Sequence, residues 1–234
     1  MPDISIIMPV YNEEKFLREA IDSILCQTFK HFEFIIVDDA STDSSLQIIK
    51  SYVDKRIILI RNKCNMGNYP SRNKGLEVAQ GKYICVMDAD DIAYPQRLEL
   101  QYQYLELHQD VCALGSEFDF SISEKKWNSF SSYKQLLTGL LQGNVFLHSS
   151  LMIRTNVLKE YGGYDEEYVY SSDYDLITRL VLAEKLENLP DRLMMYRWHV
   201  SQISQLHGDE QRVYAYDIRR KYQIEFINRY RSTN

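Results

Sequence analysis

Continuous apolar runs and helix-spaced apolar stripes alternate through the first hundred residues. "ISIIMPV" (4–10), "FEFIIVDD" (32–39), "RIILIRN" (56–62) and "YICVMDADD" (83–91) read as strands, and two of them end in carboxylates. The segments that follow them read as helices. In "EKFLREAIDSILCQ" (14–27), Phe16, Leu17, Ala20, Ile21, Ile24 and Leu25 recur at helical spacing. "STDSSLQIIKSYV" (41–53) opens on capping residues, "PSRNKGLEVAQG" (70–81) has Pro70 in a first turn and Gly81 as a stop, and "PQRLELQYQYLELH" (95–108) completes the series. Four strand–helix repeats with short connections predict an α/β fold: a Rossmann-like, mostly parallel central sheet with helices on both faces. Strands apolar on both sides fit that burial.

The second half is less regular. Residues 117–135 are polar and Ser-rich and read as an excursion, 136–142 as a short helix, and "HSSLMIR" (148–154) as a strand. "DYDLITRLVLAE" (173–184) is a well-patterned helix. From 209 to 231, Tyr214, Ile218, Tyr222, Phe226 and Tyr230 fall at steps of four among basic residues, which predicts one long amphipathic helix. The expected organisation is a main domain over 1–208, with halves 1–116 and 117–208, plus a C-terminal helical extension over 209–234.

Composition narrows the classes. A net charge of -6 argues against general nucleic-acid binding, although a local cation can still recruit a small anionic ligand. The four cysteines are widely spaced, and Cys26 and Cys85 read as small buried hydrophobes, so reduced thiols in a cytoplasmic protein are expected. The N-terminal stretch lacks the basic region of a signal peptide, and 136–153, though uncharged, is too polar for a spanning helix.

The chemistry gathers at the carboxyl ends of the strands, where ligands bind in open α/β sheets. If "DADD" continues the extended strand, Asp88 and Asp90 share a face about 6.6 Å apart and Asp91 points elsewhere. A divalent cation with a diphosphate would fit that gap; helix capping is the competing reading. "IIVDDAS" offers a second acid for a base N–H or ribose hydroxyls. Both common glycine-based phosphate cradles are missing, so any diphosphate must be neutralised through a metal.

Taken together, "SIIMPVYNEEKFLREAIDSILCQTF", "FIIVDDASTDSS", "NMGNYPSRNKGLEVAQGKYICVMDADD", "HSSLMIR" with "GGYDEEY", and "SSDYDLITRL" resemble family 2 glycosyltransferases of the GT-A fold. The resemblance implies transfer of a sugar, with inversion, from a nucleotide diphospho-sugar to an acceptor hydroxyl, using Mn²⁺ or Mg²⁺. It implies that Pro9, Tyr11 and Glu13 line the nucleotide and that Asp39 meets the base, commonly uracil. Asp88 and Asp90 match the D-x-D, with Asp90 the direct metal ligand, and Asp173 matches the general base. The family usually has Glu before that base; here Ser172 leaves Asp175 as an alternative.

Other candidates stand beside these. Arg197 and His199 share a face if extended, the first for diphosphate, the second for metal or diphosphate. His148 is either a contact to diphosphate or acceptor or a satisfied core histidine. Arg72 either reaches the nucleotide or is a surface charge. The expected partners are a nucleotide-sugar and a saccharide or lipid-linked saccharide acceptor. Residues 209–234 either pack on the core or serve a homodimer or a peripheral membrane contact. Rival readings are a sugar-phosphate nucleotidyltransferase, which would need a Gly-rich basic loop after the first strand, and a non-catalytic carbohydrate-binding protein.

Overall fold

A computed structural model describes residues 1–122 and 133–232. The first half follows the alternation: strands β1 (Ile4–Val10), β2 (Phe32–Asp38), β3 (Ile57–Arg61) and β4 (Tyr83–Val86) are each followed by a helix, α1 (Leu17–Leu25), α2 (Ser45–Lys50), α3 (Asn68–Val78) and α4 (Arg97–Leu107). A two-residue strand, β5 (Ile92–Ala93), precedes α4. The later elements are β6 (Val111–Phe120), α5 (Tyr133–Leu140), a 3-10 turn (His148–Ser150), β7 (Met152–Arg154), α6 (Thr155–Glu160), α7 (Ser172–Ala183) and β8 (Lys185–Tyr196). Three helices close the described chain: α8 (Ile203–Leu206), α9 (Gly208–Lys221) and α10 (Gln223–Ser232).

All the strands join one sheet in the order β3-β2-β1-β4-β7-β6-β8-β5. β1 pairs in parallel with β2 and β4, and β2 with β3, so the carboxyl ends of these four strands line up along one edge. β7 runs antiparallel to both β4 and β6, whereas β8 is parallel to β6. The boundary expected at 116/117 falls inside β6, and the sheet crosses both halves without a break.

Alternation along the strands builds two cores. Ile4, Ile6, Met8 and Val10 of β1 face α1 and α4, packing with Leu17, Ile21, Ile24 and Leu98. Ile7, with Ile35, Val37 and Val86, faces the opposite layer of α3, α5 and α7. The close approach of α3 depends on Gly75, where an added Cβ would stand 2.6 Å from an Ile7 methyl.

Several expectations change. The strand expected over 83–91 stops at Val86, and the one over 148–154 begins with a 3-10 turn. Of the excursion at 117–135, residues 117–120 belong to β6 and 133–135 to α5, while 123–132 lie outside the described residues. Cys26 is exposed, because it sits past the last turn of α1, beyond its buried face; Cys85 is buried. The single C-terminal helix is two, broken at Tyr222, whose hydroxyl donates to buried Asp175 (3.1 Å). Ile218 and Phe226 are buried in the core, in line with a packing role. Among the described residues, no helix is long and apolar enough to cross a membrane.

Candidate functional site

The end of β4 supplies the first part of the site. After Val86 the chain turns, and Asp91 N donates to Asp88 O (3.4 Å). This turn cancels the period-two geometry, so Asp91 does not face away. One carboxylate oxygen from each of Asp88, Asp90 and Asp91 lies within 4.8 Å of the others. Asp91 is 1% exposed and accepts from Ser149 Oγ and from Arg197 N (3.1 Å).

Buried cations underlie this cluster. Arg72 is only 1% exposed, which rules out a surface charge; it pairs with Asp88 and donates to Ile7 O (3.4 Å) and Met87 O (3.3 Å). It therefore braces Asp88 from beneath rather than reaching outward. Arg97, missed in the sequence as one more charge on an amphipathic helix, is fully buried and donates to Val86 O (2.9 Å). The Arg197 guanidinium is occupied by Glu19, by Asp90 O and by Phe16 O (3.0 Å). These bonds clip the segment after β8 onto the start of α1. His199 does reach the cluster: Nε2 lies 3.0 Å from Asp90 Oδ2, and the ring packs on Phe16 at 4.6 Å.

Burial and mutual repulsion favour the protonated forms of the acids gathered here. Burial first, then the charges of Asp90 and Asp88, push Glu13 up to about 8. Asp88 is pushed up to about 6 by burial and by Asp90 and Asp173, against the pull of Arg72. Asp91 is raised well above the usual carboxylate range by burial, Asp90 and Asp88. Three carboxylates are a hard, all-oxygen donor set, which suits Mg²⁺ or Mn²⁺ and not a soft metal.

The loop after β1 carries Glu13, and side-chain hydrogen bonds hold it to the loop after β2. Asn12 takes a left-handed φ of 57°, which Asn tolerates, and its Oδ1 accepts from Thr42 N (2.8 Å). Glu13 N donates to Ser45 Oγ (2.9 Å). Pro9, next to last in β1, pairs with Val37, and Tyr11 just past the strand is exposed. Asp39, 2% exposed, accepts from Asn62 Nδ2 (2.7 Å) and Met66 N (2.9 Å) on Oδ1, and from Gly67 N (2.8 Å) on Oδ2. Two of these are backbone donors just before α3.

Asp173 and Asp175, both in the first turn of α7, part company. Asp173 accepts from Tyr69 Oη (2.8 Å) and Asn144 Nδ2 (2.9 Å), and burial raises its pKa. Asp175 is buried on another side, bound to Arg179 Nε (2.7 Å) and Tyr222 Oη (3.1 Å). It ties α7 to the C-terminal helices, on a different side of the helix from Asp173. His148 contacts Tyr164 Oη through Nε2 (2.9 Å), and burial, helped by the charge of Arg72, drives its pKa well below the usual value. It is a neutral, packed histidine beneath the site. Tyr69, Asn144, Ser149 and Glu19 were not singled out in the sequence, since no local pattern marks side chains that act across more than twenty residues.

This eight-stranded α/β sheet is a GT-A fold, as solved structures show. Residues 1–349 of S. aureus TarS in complex with UDP-GlcNAc superpose with a TM-score of 0.75 at 23% identity, over 99% of this chain and 73% of that one. For the TarS complex with UDP the values are 0.74 and 22%, over 96% of this chain and 65% of that one. The mannosyltransferase PcManGT of Pyrobaculum calidifontis, in complex with GDP-Man and Mn²⁺, gives 0.66 at 20% identity, over 83% and 56%. Residues 5–162 match Glycosyl transferase family 2, and the chain belongs to that family. An uncharacterized glycosyltransferase of Methanocaldococcus jannaschii is 39% identical over 207 residues, covering 84% of this chain and 71% of its own length. One from Haemophilus influenzae is 33% identical over 97% of this chain and 75% of its own length.

Proposed function

We propose that this glycosyltransferase moves a sugar, with inversion, from a uridine diphospho-sugar to a hydroxyl of a saccharide or lipid-linked saccharide acceptor in glycan synthesis. The observation that carries the reading is the meeting of three groups at one sheet edge: the 88/90/91 carboxylates, Asp39, and Asp173. Membership of the family sets the nucleotidyltransferase reading aside.

Asp39 supports the choice of base. An ionised carboxylate has about four acceptor positions. Asn62, Met66 and Gly67 occupy three of them, one short of the full set. A single free position matches the lone N3–H of uracil, whereas guanine would present two adjacent donors. Pro9 and Tyr11 would flank the nucleoside, and Glu13 would face the diphosphate side. Asp90 and Asp88, with Asp91, would hold Mn²⁺ or Mg²⁺, which when bound supplies the positive charge that a departing diphosphate needs.

Asp173 is the base in this reading. It takes the proton of the acceptor hydroxyl as that oxygen attacks the anomeric carbon in line, and the bond to the β-phosphate oxygen breaks. Arg197 and His199 keep the Asp90 turn in place. The C-terminal helices support α7 through Lys221 and Tyr222 on Asp175 and through Gln211 on Tyr170 O (3.0 Å). Val213, Tyr216, Ile224 and Ile227 stay exposed, and are the surface offered to a membrane bearing a lipid-linked acceptor at its cytoplasmic face.

The test is incubation with a panel of uridine and guanosine diphospho-sugars plus Mn²⁺, reading slow transfer to water. Release of UDP from a uridine donor supports the proposal. Release of GDP instead contradicts the base assignment, and no turnover with any donor would favour a non-catalytic carbohydrate-binding protein.

A further inference from the structure

We propose that Tyr69 and Asn144 are positioning residues for Asp173, and that helix α3 sets the spacing between the base and the carboxylate cluster. The inference rests on the reading of Asp173 as the base and adds how that base is held.

Asp173 is anchored at both oxygens: Tyr69 Oη donates to Oδ1 (2.8 Å) and Asn144 Nδ2 to Oδ2 (2.9 Å). The terminal torsion of an aspartate is broad when unrestrained. Donors on opposite oxygens, from two separate elements, fix the plane of the group and leave its remaining lone pairs for an incoming hydroxyl. Catalysis is sensitive to such placement, since misplacement by about 1 Å can cost about 100-fold in rate.

Tyr69 is itself well anchored. It is 7% exposed, and its ring stacks on Tyr164 with centroids 5.6 Å apart. Tyr164 is held at its hydroxyl by His148 (2.9 Å), and at its backbone by Asn73, which donates to its carbonyl (2.8 Å) and accepts from its N–H (3.0 Å). Arg72 lies three residues after Tyr69 in the same helix, positions that share a helical face. Tyr69 grips the base and Arg72 grips Asp88, so one rigid turn of α3 measures the gap that the reacting atoms must span. α3 is held close against β1 at Gly75, where an added Cβ would meet Ile7.

The groups that act on Asp173 set the expected pH response. Burial raises its pKa, whereas Tyr69 Oη, the Tyr174 N–H, Asn144 and the charge of Arg72 all lower it; the Asp88 carboxylate is a further charged neighbour. Removing either side-chain donor should shift the base toward its protonated form and move the acid limb of the rate profile to higher pH.

The experiment compares Tyr69→Phe, which keeps the ring and loses only the hydroxyl, with Asn144→Ala and Asp173→Asn. Turnover of the UDP-sugar with Mn²⁺ is measured against pH, beside UDP affinity and ¹³C NMR titration of the Asp173 carboxyl. We expect kcat to fall about 10- to 100-fold in each positioning variant, with donor KM and UDP affinity within about two-fold. The Asp173 titration should move up in both. Wild-type kcat and an unmoved Asp173 titration in Tyr69→Phe and Asn144→Ala, with Asp173→Asn inactive, would overturn the positioning roles and leave the base standing. Full activity of Asp173→Asn would overturn the base itself. The NMR arm decides the matter even if water proves too poor an acceptor for turnover.

Discussion

Two acidic strand ends flank β1, and they are built to opposite plans. At the end of β2, Asp39 is met by Asn62 and by the N–H groups of Met66 and Gly67, so its charge is served by protein donors before any ligand arrives. At the end of β4, Asp88, Asp90 and Asp91 converge within 4.8 Å, and their mutual repulsion and burial lift Asp88, Asp91 and the facing Glu13. Arg72 meets the cluster at Asp88, while Arg97 donates to Val86 O and Gln101 Oε1. A lone buried acid met by three donors keeps its charge through the protein, whereas three acids brought together keep a repulsion that their donors from Arg72, His199, Ser149 and Arg197 do not remove.

The contrast can be broken at each end. The largest expected effect comes from the base: Asp173→Asn should cut turnover by about 100- to 10,000-fold while leaving UDP–Mn²⁺ affinity intact, as initial rates and calorimetry would read. Next is the cluster at the end of β4. Asp90→Ala should weaken Mn²⁺-dependent UDP binding by about 100-fold or more, since even groups behind a metal ligand are worth about 10- to 100-fold. At the end of β2, Asp39→Asn should lower UDP affinity by about 10-fold and destabilise the fold by about 1–3 kcal/mol, because two backbone amides lose an ionised acceptor. Urea unfolding and calorimetry separate the two losses.

The smallest effect is one of pH. Glu13 and Asp88 titrate higher in the fold than in an unfolded chain, so folding favours their protonated forms. Their contribution to stability is fully present below about pH 4 and is lost as pH rises through about 6 for Asp88 and about 8 for Glu13. In EDTA, Tm should decline between pH 5.5 and 8.5; Mn²⁺ should flatten that slope, and its binding should release protons. A Tm slope indifferent to Mn²⁺ would mean that the cluster is not its site.

Legibility in the sequence followed physical locality. Strands β1 to β4 were readable as continuous apolar runs, α1 from its helix-spaced apolar stripe, and α2 and α3 from their capping, Pro and Gly signals. β6 and β8 were not. "VCALGSEFDF" turns polar halfway, "KLENLPDRLMMY" carries charges and a proline, and the pair holds together across register shifts. At the site, Asp39, Asp88, Asp90 and Asp173 stood out by position and by resemblance. Asp91 was misread because strand periodicity was extended into a turn. The burial of Arg72, a candidate in the sequence, and of Arg97, which was not one, went unread because arginine is rarely buried unless paired, and no local pattern shows the pairing. The role of Tyr69 depends on Asp173, 104 residues away, and no spacing rule reaches that far.

The central claim is that the β4 cluster, with Asp39, forms a site for UDP completed by a divalent cation. A thermal-shift titration of UDP, with Mn²⁺ and with EDTA, on the wild type and Asp90→Ala, tests it most directly. Stabilisation should grow with UDP concentration relative to its dissociation constant. The account requires a large UDP shift with Mn²⁺, little in EDTA, and little in Asp90→Ala under either condition. An equal UDP shift in EDTA, or an undiminished one in Asp90→Ala, would contradict it.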